Sequence, residues 1–159
     1  MNKIARVGMV LLLLMSALSC EKTEEEQRVS WKRVRFSVDL MLNNELEGLY
    51  SYKVYAKKDI FKAGEYLEAP GVIVFNIGNM LNPGNPFVAY DIRCPYEDRV
   101  DITVSVNDEY KAVCPSCKSE YDLMAGGSPF SGPSNKRLQN YCVDGSYNSS
   151  RSLRVENCN

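Results

Sequence analysis

The fold is decided by residues 87–122, whose sequence is FVAYDIRCPYEDRVDITVSVNDEYKAVCPSCKSEYD. Residues 87–92 are a strand-forming run, and a loop that contains Cys94 and a proline follows them. Residues 100–106 alternate apolar with polar side chains, which is typical of a half-buried strand. An Asn-Asp turn then leads to a further strand and to a second loop, Cys114-Pro115-Ser116-Cys117. We expect this hairpin to bring the two cysteine loops together.

The rest of the chain also predicts strands. Residues 34–42 alternate apolar with polar side chains, and residues 72–77 are almost continuously apolar, as in a fully buried strand. Residues 64–71 and 125–134 are rich in turn-forming residues and are expected to be loops. Residues 141–158 look like a terminal hairpin. We therefore predict an all-β fold, a small sandwich or barrel with the two cysteine loops on adjacent hairpins.

The N-terminus has the three parts of an export signal. Lys3 and Arg6 supply positive charge, residues 7–14 are an apolar run too short to span a membrane comfortably, and small residues precede Cys20. We expect residues 1–19 to be a cleaved signal peptide and Cys20 to be lipidated, which anchors the mature protein to a membrane. Residues 20–30 are polar and acidic and predict a flexible tether. Residues 31–159 are expected to form one β domain.

Charge and composition limit the partners of the exported chain. The chain has 19 Lys and Arg against 20 Asp and Glu. No basic patch stands out, so nucleic acid is not an expected partner. The signal places the protein in the cell envelope, at the outer membrane. Its acidic tether is either an address for the cell surface or a plain solvated spacer. An envelope protein or a glycan is the remaining kind of partner.

Catalytic motifs are scarce. The chain contains no histidine, so a Ser–His–Asp or Cys–His arrangement is excluded. Asp91 and Asp98 are scattered acids, and we expect them to be solvated surface charges rather than a catalytic pair. An enzymatic role is therefore not expected.

The six cysteines are the most informative chemical feature. Lipidation consumes Cys20, and export puts the others in an oxidising compartment, where free thiols are unusual. Cys142 and Cys158 flank the terminal hairpin, so we expect a disulfide between them. The remaining three lie on the two facing loops: Cys94, Cys114 and Cys117. Because this set is odd, either two of them pair and one stays free, or all three hold a metal.

Residues 71–155 resemble the Rieske [2Fe–2S] domains. In that family one loop offers Cys-x-His and a second, after a hairpin, offers Cys-x-x-His. The corresponding loops here are Cys94-Pro95-Tyr96 and Cys114-Pro115-Ser116-Cys117. Further residues match the family in their order: Ser119, Tyr121, Asp122, Gly126 or Gly127, Gly132, Pro133, Ser134, Leu138 and Tyr141. The resemblance implies a Rieske-like β fold in which a Gly-Pro loop covers the site and the Ser119 and Tyr121 hydroxyls lie near sulfur.

The match fails at the histidines. Tyr96 stands where the first histidine would be, and Cys117 stands where the second would be. A normal Rieske centre is excluded, because two imidazoles bind one of its irons. The resemblance therefore implies a degenerate site, whose vestigial surroundings are Ser119, Tyr121, Gly132 and Pro133.

Three interpretations of the three-cysteine site stay open. In the first, which we favour, no cofactor is bound, a disulfide ties the two loops together, and the protein is a non-catalytic structural or binding module. In the second, the three cysteines bind zinc, iron or a non-Rieske [2Fe–2S] cluster, completed by Tyr96 or Glu97. In the third, Cys114 and Cys117 are a redox-active pair, which needs a helix N-terminus that the following residues are poorly suited to form.

Overall fold

The computed structural model describes residues 32–78, 81, 84–146 and 151–158. The predicted signal peptide, the predicted lipidation site Cys20 and the predicted tether lie outside these residues. None of the helices within the described ranges is long and apolar enough to cross a membrane. The strands, in chain order, are β1 (Val34–Asp39), β2 (Tyr52–Tyr55), β3 (Tyr66–Leu67), β4 (Val72–Asn76), β5 (Phe87–Asp91), β6 (Ser105–Val106), β7 (Lys111–Val113), β8 (Glu120–Asp122), β9 (Ser128–Ser131), β10 (Asn140–Ser146) and β11 (Ser152–Glu156).

The strands form two antiparallel sheets, which confirms the all-β prediction. The large sheet is curled and has the order β2-β4-β5-β10-β11-β1-β3, and the small sheet has the order β6-β7-β8-β9. In β1 the alternation holds, because Val34, Phe36 and Val38 are buried. Every residue of strand β4, which lies between β2 and β5, is buried, as its almost continuous apolar run predicted.

Several predicted boundaries are wrong. The first strand ends at Asp39, whose carboxylate accepts a hydrogen bond from the backbone N–H of Met41 at 2.9 Å and turns the chain. Leu42, expected to be buried, is 80% exposed. The predicted loops at 64–71 and 125–134 contain the short strands β3 and β9. Each of these is a short edge strand. Its backbone pairs with the neighbouring strand although its sequence favours turns.

The terminal hairpin and its disulfide are confirmed. Strands β10 and β11 pair antiparallel, with Cys142 opposite Glu156. Cys142 and Cys158 are joined by a disulfide, and their Cα atoms are 5.0 Å apart. This bond closes the end of the large sheet.

The small sheet packs on an apolar cluster that it shares with the large sheet. One apolar cluster lies against the large sheet, and a second lies between the sheets. The second cluster includes Phe75 and Tyr90 from the large sheet together with Tyr121, Cys94 and Cys114. The cysteine loops therefore sit at the junction of the two sheets.

Candidate metal centre

The first cysteine loop leaves strand β5 and enters the small sheet. The Cys94 side chain is fully buried. Its backbone N–H donates to the carbonyl of Ile102 at 3.2 Å, and the N–H of Asp98 donates to the Cys94 carbonyl at 2.9 Å. Asp98 takes a left-handed conformation with φ of 48°, which an aspartate tolerates better than most residues. These contacts fix a tight turn directly after Cys94.

The second cysteine loop joins β7 to β8. The N–H of Cys114 donates to the Ser119 carbonyl at 2.9 Å, and the N–H of Lys118 donates to the Cys114 carbonyl at 3.1 Å. Lys118 is left-handed, with φ of 62°. The chain continues into strand β8. Cys114 therefore lacks the helix N-terminus that a thioredoxin-like pair needs, and this observation disfavours the redox interpretation.

The two loops place three sulfur atoms in one cluster. The Sγ atoms of Cys94, Cys114 and Cys117 all lie within 4.8 Å of one another. The Sγ atoms of Cys94 and Cys117 are 3.7 Å apart. All three cysteines are free thiols in the structure, and Cys117 alone is partly exposed. Three soft ligand atoms thus converge at the edge of a buried core.

The residues implied by the Rieske resemblance surround these sulfurs. The Tyr121 hydroxyl lies 3.3 Å from Cys94 Sγ, and the Ser119 hydroxyl lies 3.2 Å from Cys117 Sγ. The backbone N–H of Ser134 donates to the Ser119 hydroxyl at 3.1 Å. The two hydroxyls that sequence comparison put near sulfur are therefore at hydrogen-bonding distance from it.

The Gly132-Pro133-Ser134 turn packs on the second loop. A Cβ atom on Gly132 would lie 2.6 Å from the Cα of Ser119, and the φ of Gly132 is +87°. Both the close approach and the positive φ require glycine here. Pro133 is exposed beside it. This turn holds Ser119 against the sulfur of Cys117.

The thiols differ in how easily they ionise. Burial raises the pKa of Cys114 to about 11. Burial also opposes ionisation of Cys117, but the hydroxyl and backbone N–H of Ser119 stabilise its thiolate more, so its pKa lies below the usual value. Burial and the hydrogen bond with Cys94 raise the pKa of Tyr121 well above its usual value. Of Cys114 and Cys117, Cys117 is thus the thiol that ionises more readily.

The two residues predicted to complete the site stand apart from the sulfur cluster. Tyr96 is 53% exposed. Glu97 is half-buried, and among the described residues no carboxylate oxygen joins the three sulfurs in the 4.8 Å group. The structure therefore brings together the sulfurs of Cys94, Cys114 and Cys117 and no carboxylate among the described residues.

The expectation that Asp91 is a solvated surface charge is wrong. Asp91 is 1% exposed, and it accepts hydrogen bonds from the Arg93 backbone N–H at 2.8 Å and from the Tyr141 hydroxyl at 3.0 Å. The Arg93 guanidinium, 3% exposed, lies 3.9 Å from Asp91 and 3.5 Å from Asp98. Burial raises the pKa of Asp91, and its contacts with Arg93 oppose that rise.

These buried charges are a feature that sequence reasoning missed. Arg93 directly precedes Cys94, and its contact with Asp98 spans the turn that carries that cysteine. The available signal was the position of Asp91 at the end of an apolar strand, followed two residues later by an arginine. Such a pair is buried only when each charge finds its partner.

Comparison with known proteins adds no constraint. No protein-family model matches the chain, and no curated protein matches it.

Proposed function

We propose that this chain is an exported, lipid-anchored envelope protein whose β domain binds one metal ion, zinc or iron, through Cys94, Cys114 and Cys117. The observation that carries the metal site is the convergence of three free sulfurs within 4.8 Å. The role of the bound ion is structural, and the domain is a non-catalytic module. The export signal supports the anchor at Cys20 and an outer-membrane location, where the partner is an envelope protein or a glycan.

The spacing of the sulfurs supports a single ion. A zinc–sulfur bond is about 2.3 Å long, so two sulfurs at a tetrahedral angle on one ion lie about 3.8 Å apart. The Sγ atoms of Cys94 and Cys117 are separated by 3.7 Å, although they come from different loops. The backbone therefore already sets one edge of a tetrahedron.

A Rieske cluster does not fit these residues. The chain has no histidine to supply the two imidazoles. In a two-iron cluster, ligands of different irons are held apart by the irons and the bridging sulfides between them. All three sulfurs here lie within 4.8 Å of one another, which suits ligands of one ion better. The Rieske resemblance therefore remains a proposal about the fold.

The surrounding residues support a bound thiolate cluster. The Ser119 hydroxyl is positioned to donate to Cys117 Sγ, and Tyr121 to donate to Cys94 Sγ. Hydrogen bonds to thiolate favour the charged form that a metal requires. The burial of Cys94 and Cys114 limits access of solvent to their sulfurs, as in structural rather than catalytic sites.

Metal analysis of the full chain tests the proposal. Protein purified without oxygen or chelator should contain about one zinc or iron per chain. The Cys117→Ser variant should lose most of it, because one of three thiolates is removed. The matched control is Ser116→Ala, a change of the exposed neighbour in the same loop. Absence of stoichiometric metal from the parent protein refutes the metal site.

A metal-free module tied by a disulfide is the second candidate. The 3.7 Å between the Cys94 and Cys117 sulfurs favours it, because the side chains of the two loops already face each other. Such a bond would constrain the unfolded chain and join the loops. Thiol counting after unfolding separates the two: the disulfide module gives one reactive thiol, whereas the metal site gives three thiols together with the released ion.

A further inference from the structure

The two cysteine loops share a backbone hydrogen bond and a left-handed residue at the same positions after the cysteine. Each begins with Cys-Pro, at Cys94 and at Cys114. In each, the fourth residue after the cysteine donates its N–H to the cysteine carbonyl, at 2.9 Å for Asp98 and 3.1 Å for Lys118. In each, that fourth residue is left-handed, with φ of 48° and 62°. The loops are therefore two copies of one turn, facing each other across the site.

The matching turns make residues at equal offsets equivalent. The third residue after the cysteine in the second turn is Cys117, which contributes the partly exposed sulfur of the cluster. The third residue after the cysteine in the first turn is Glu97. We infer that Glu97 is the fourth ligand of the metal ion, in the position that Cys117 occupies in the other loop. This inference rests on the proposed metal site and names the residue that completes it.

The second residue after the cysteine is excluded as a metal ligand by the same comparison of the two turns. Tyr96 corresponds to Ser116, and both are exposed. A side chain at this offset points to solvent in both loops. The buried Tyr121 hydroxyl is already engaged with Cys94 Sγ. Glu97 is thus the group that the geometry selects for the fourth position.

The Glu97 side chain is half-buried, as the Cys117 side chain is at the same offset of the second loop. Binding at the sulfurs requires its carboxylate to rotate toward them, because among the described residues no carboxylate oxygen lies in the 4.8 Å group. The longer glutamate side chain then completes three sulfurs and one oxygen, a ligand set that zinc accepts.

Cobalt substitution of the full chain tests the assignment. Tetrahedral cobalt(II) shows d–d bands, and each bound thiolate adds charge-transfer absorption. Wild-type protein should show both signals. Glu97→Cys should retain the tetrahedral bands and increase the charge-transfer absorption through a fourth thiolate. Glu97→Gln should lower the zinc affinity by about tenfold or more, measured by chelator competition.

Two controls isolate the role of Glu97. Tyr96→Phe removes the other predicted oxygen ligand, and Glu109→Gln removes an exposed glutamate that pairs with Lys111 on the intervening hairpin. Both should bind cobalt and zinc as the wild type does. If Glu97→Gln also binds as the wild type does, or Glu97→Cys adds no charge-transfer absorption, Glu97 is not the ligand. If wild-type protein binds neither metal, the proposed metal site itself fails.

Discussion

Replacement of Arg93 by methionine should strongly destabilise the domain. Methionine keeps much of the buried volume but removes the guanidinium that faces Asp91 and Asp98. Asp91 stays buried, and in the part of the chain that the structure describes the donors that still reach its carboxylate include the backbone N–H of residue 93 and the Tyr141 hydroxyl. Breaking a buried pair by removing one partner costs about 3–5 kcal/mol. The loss of the half-exposed Asp98 contact adds little.

The pH dependence of the lost stability identifies the buried Asp91 carboxylate as its cause. Burial already raises the pKa of Asp91 above 3.8, and removal of Arg93 raises it further. A carboxyl whose folded-state pKa is raised favours the folded state below its unfolded-state pKa, and that benefit is lost as the pH rises through the folded-state pKa. The difference in free energy of unfolding between Arg93→Met and wild type should therefore be small near pH 3.8 and grow toward neutral pH.

Chemical denaturation across this pH range measures the effect. Near neutral pH the free energy of unfolding of Arg93→Met should be about 3–5 kcal/mol lower than that of the wild type. The melting temperature should fall by about 10 °C or more. The matched control is Arg99→Met, which breaks an exposed pair with Asp101 and should cost less than about 1 kcal/mol. A loss for Arg93→Met as small as that of the control, or one independent of pH, would refute the reasoning.

The remaining predictions concern the anchor, the disulfide and the turn over the site. Cys20→Ala should move the protein from the membrane to the soluble fraction, and unchanged membrane retention would contradict lipidation. Replacing Cys142 and Cys158 together by serine should lower the free energy of unfolding by about 3 kcal/mol, since the bond spans 16 positions, and denaturant titration measures it. Gly132→Ala should cost about 1–3 kcal/mol, because a left-handed alanine is strained and its Cβ meets Ser119; a neutral result would show that the turn is free to move.

The fold was largely predictable where burial follows a simple period. The alternation in β1 and the apolar run in β4 gave the large sheet, and the terminal hairpin placed Cys142 beside Cys158. The short strands β3 and β9 escaped prediction because their few residues carry no period of their own. They are strands because a neighbouring edge offers hydrogen bonds, which is tertiary information.

The candidate site was predictable in its sulfurs but not in its charges. The order of the cysteine loops indicated that three sulfurs would meet. The burial of Asp91 was hard to recognise, because it depends on Tyr141, which is 50 positions away, as well as on the nearby Arg93. Likewise, Tyr96 and Glu97 were equal candidates for a fourth ligand, and the proposal of Glu97 rests on the hydrogen bond and the left-handed residue that the two turns share.

A metal ion bound at the three sulfurs would stabilise the small sheet, whose strands are short. Strands β6 and β7 have two and three residues, and β8 and β9 have three and four, so their backbone pairing alone gives little stability. The core beneath them contains the side chains of Cys94 and Cys114. Cys94 follows a strand of the large sheet, whereas Cys114 and Cys117 lie in a loop of the small one. A metal ion bound by all three would therefore join the sheets directly, which the local Cys142–Cys158 disulfide within the large sheet does not do. Metal binding and docking of the small sheet are then a single equilibrium, because the ligand set is complete only when the two loops face each other.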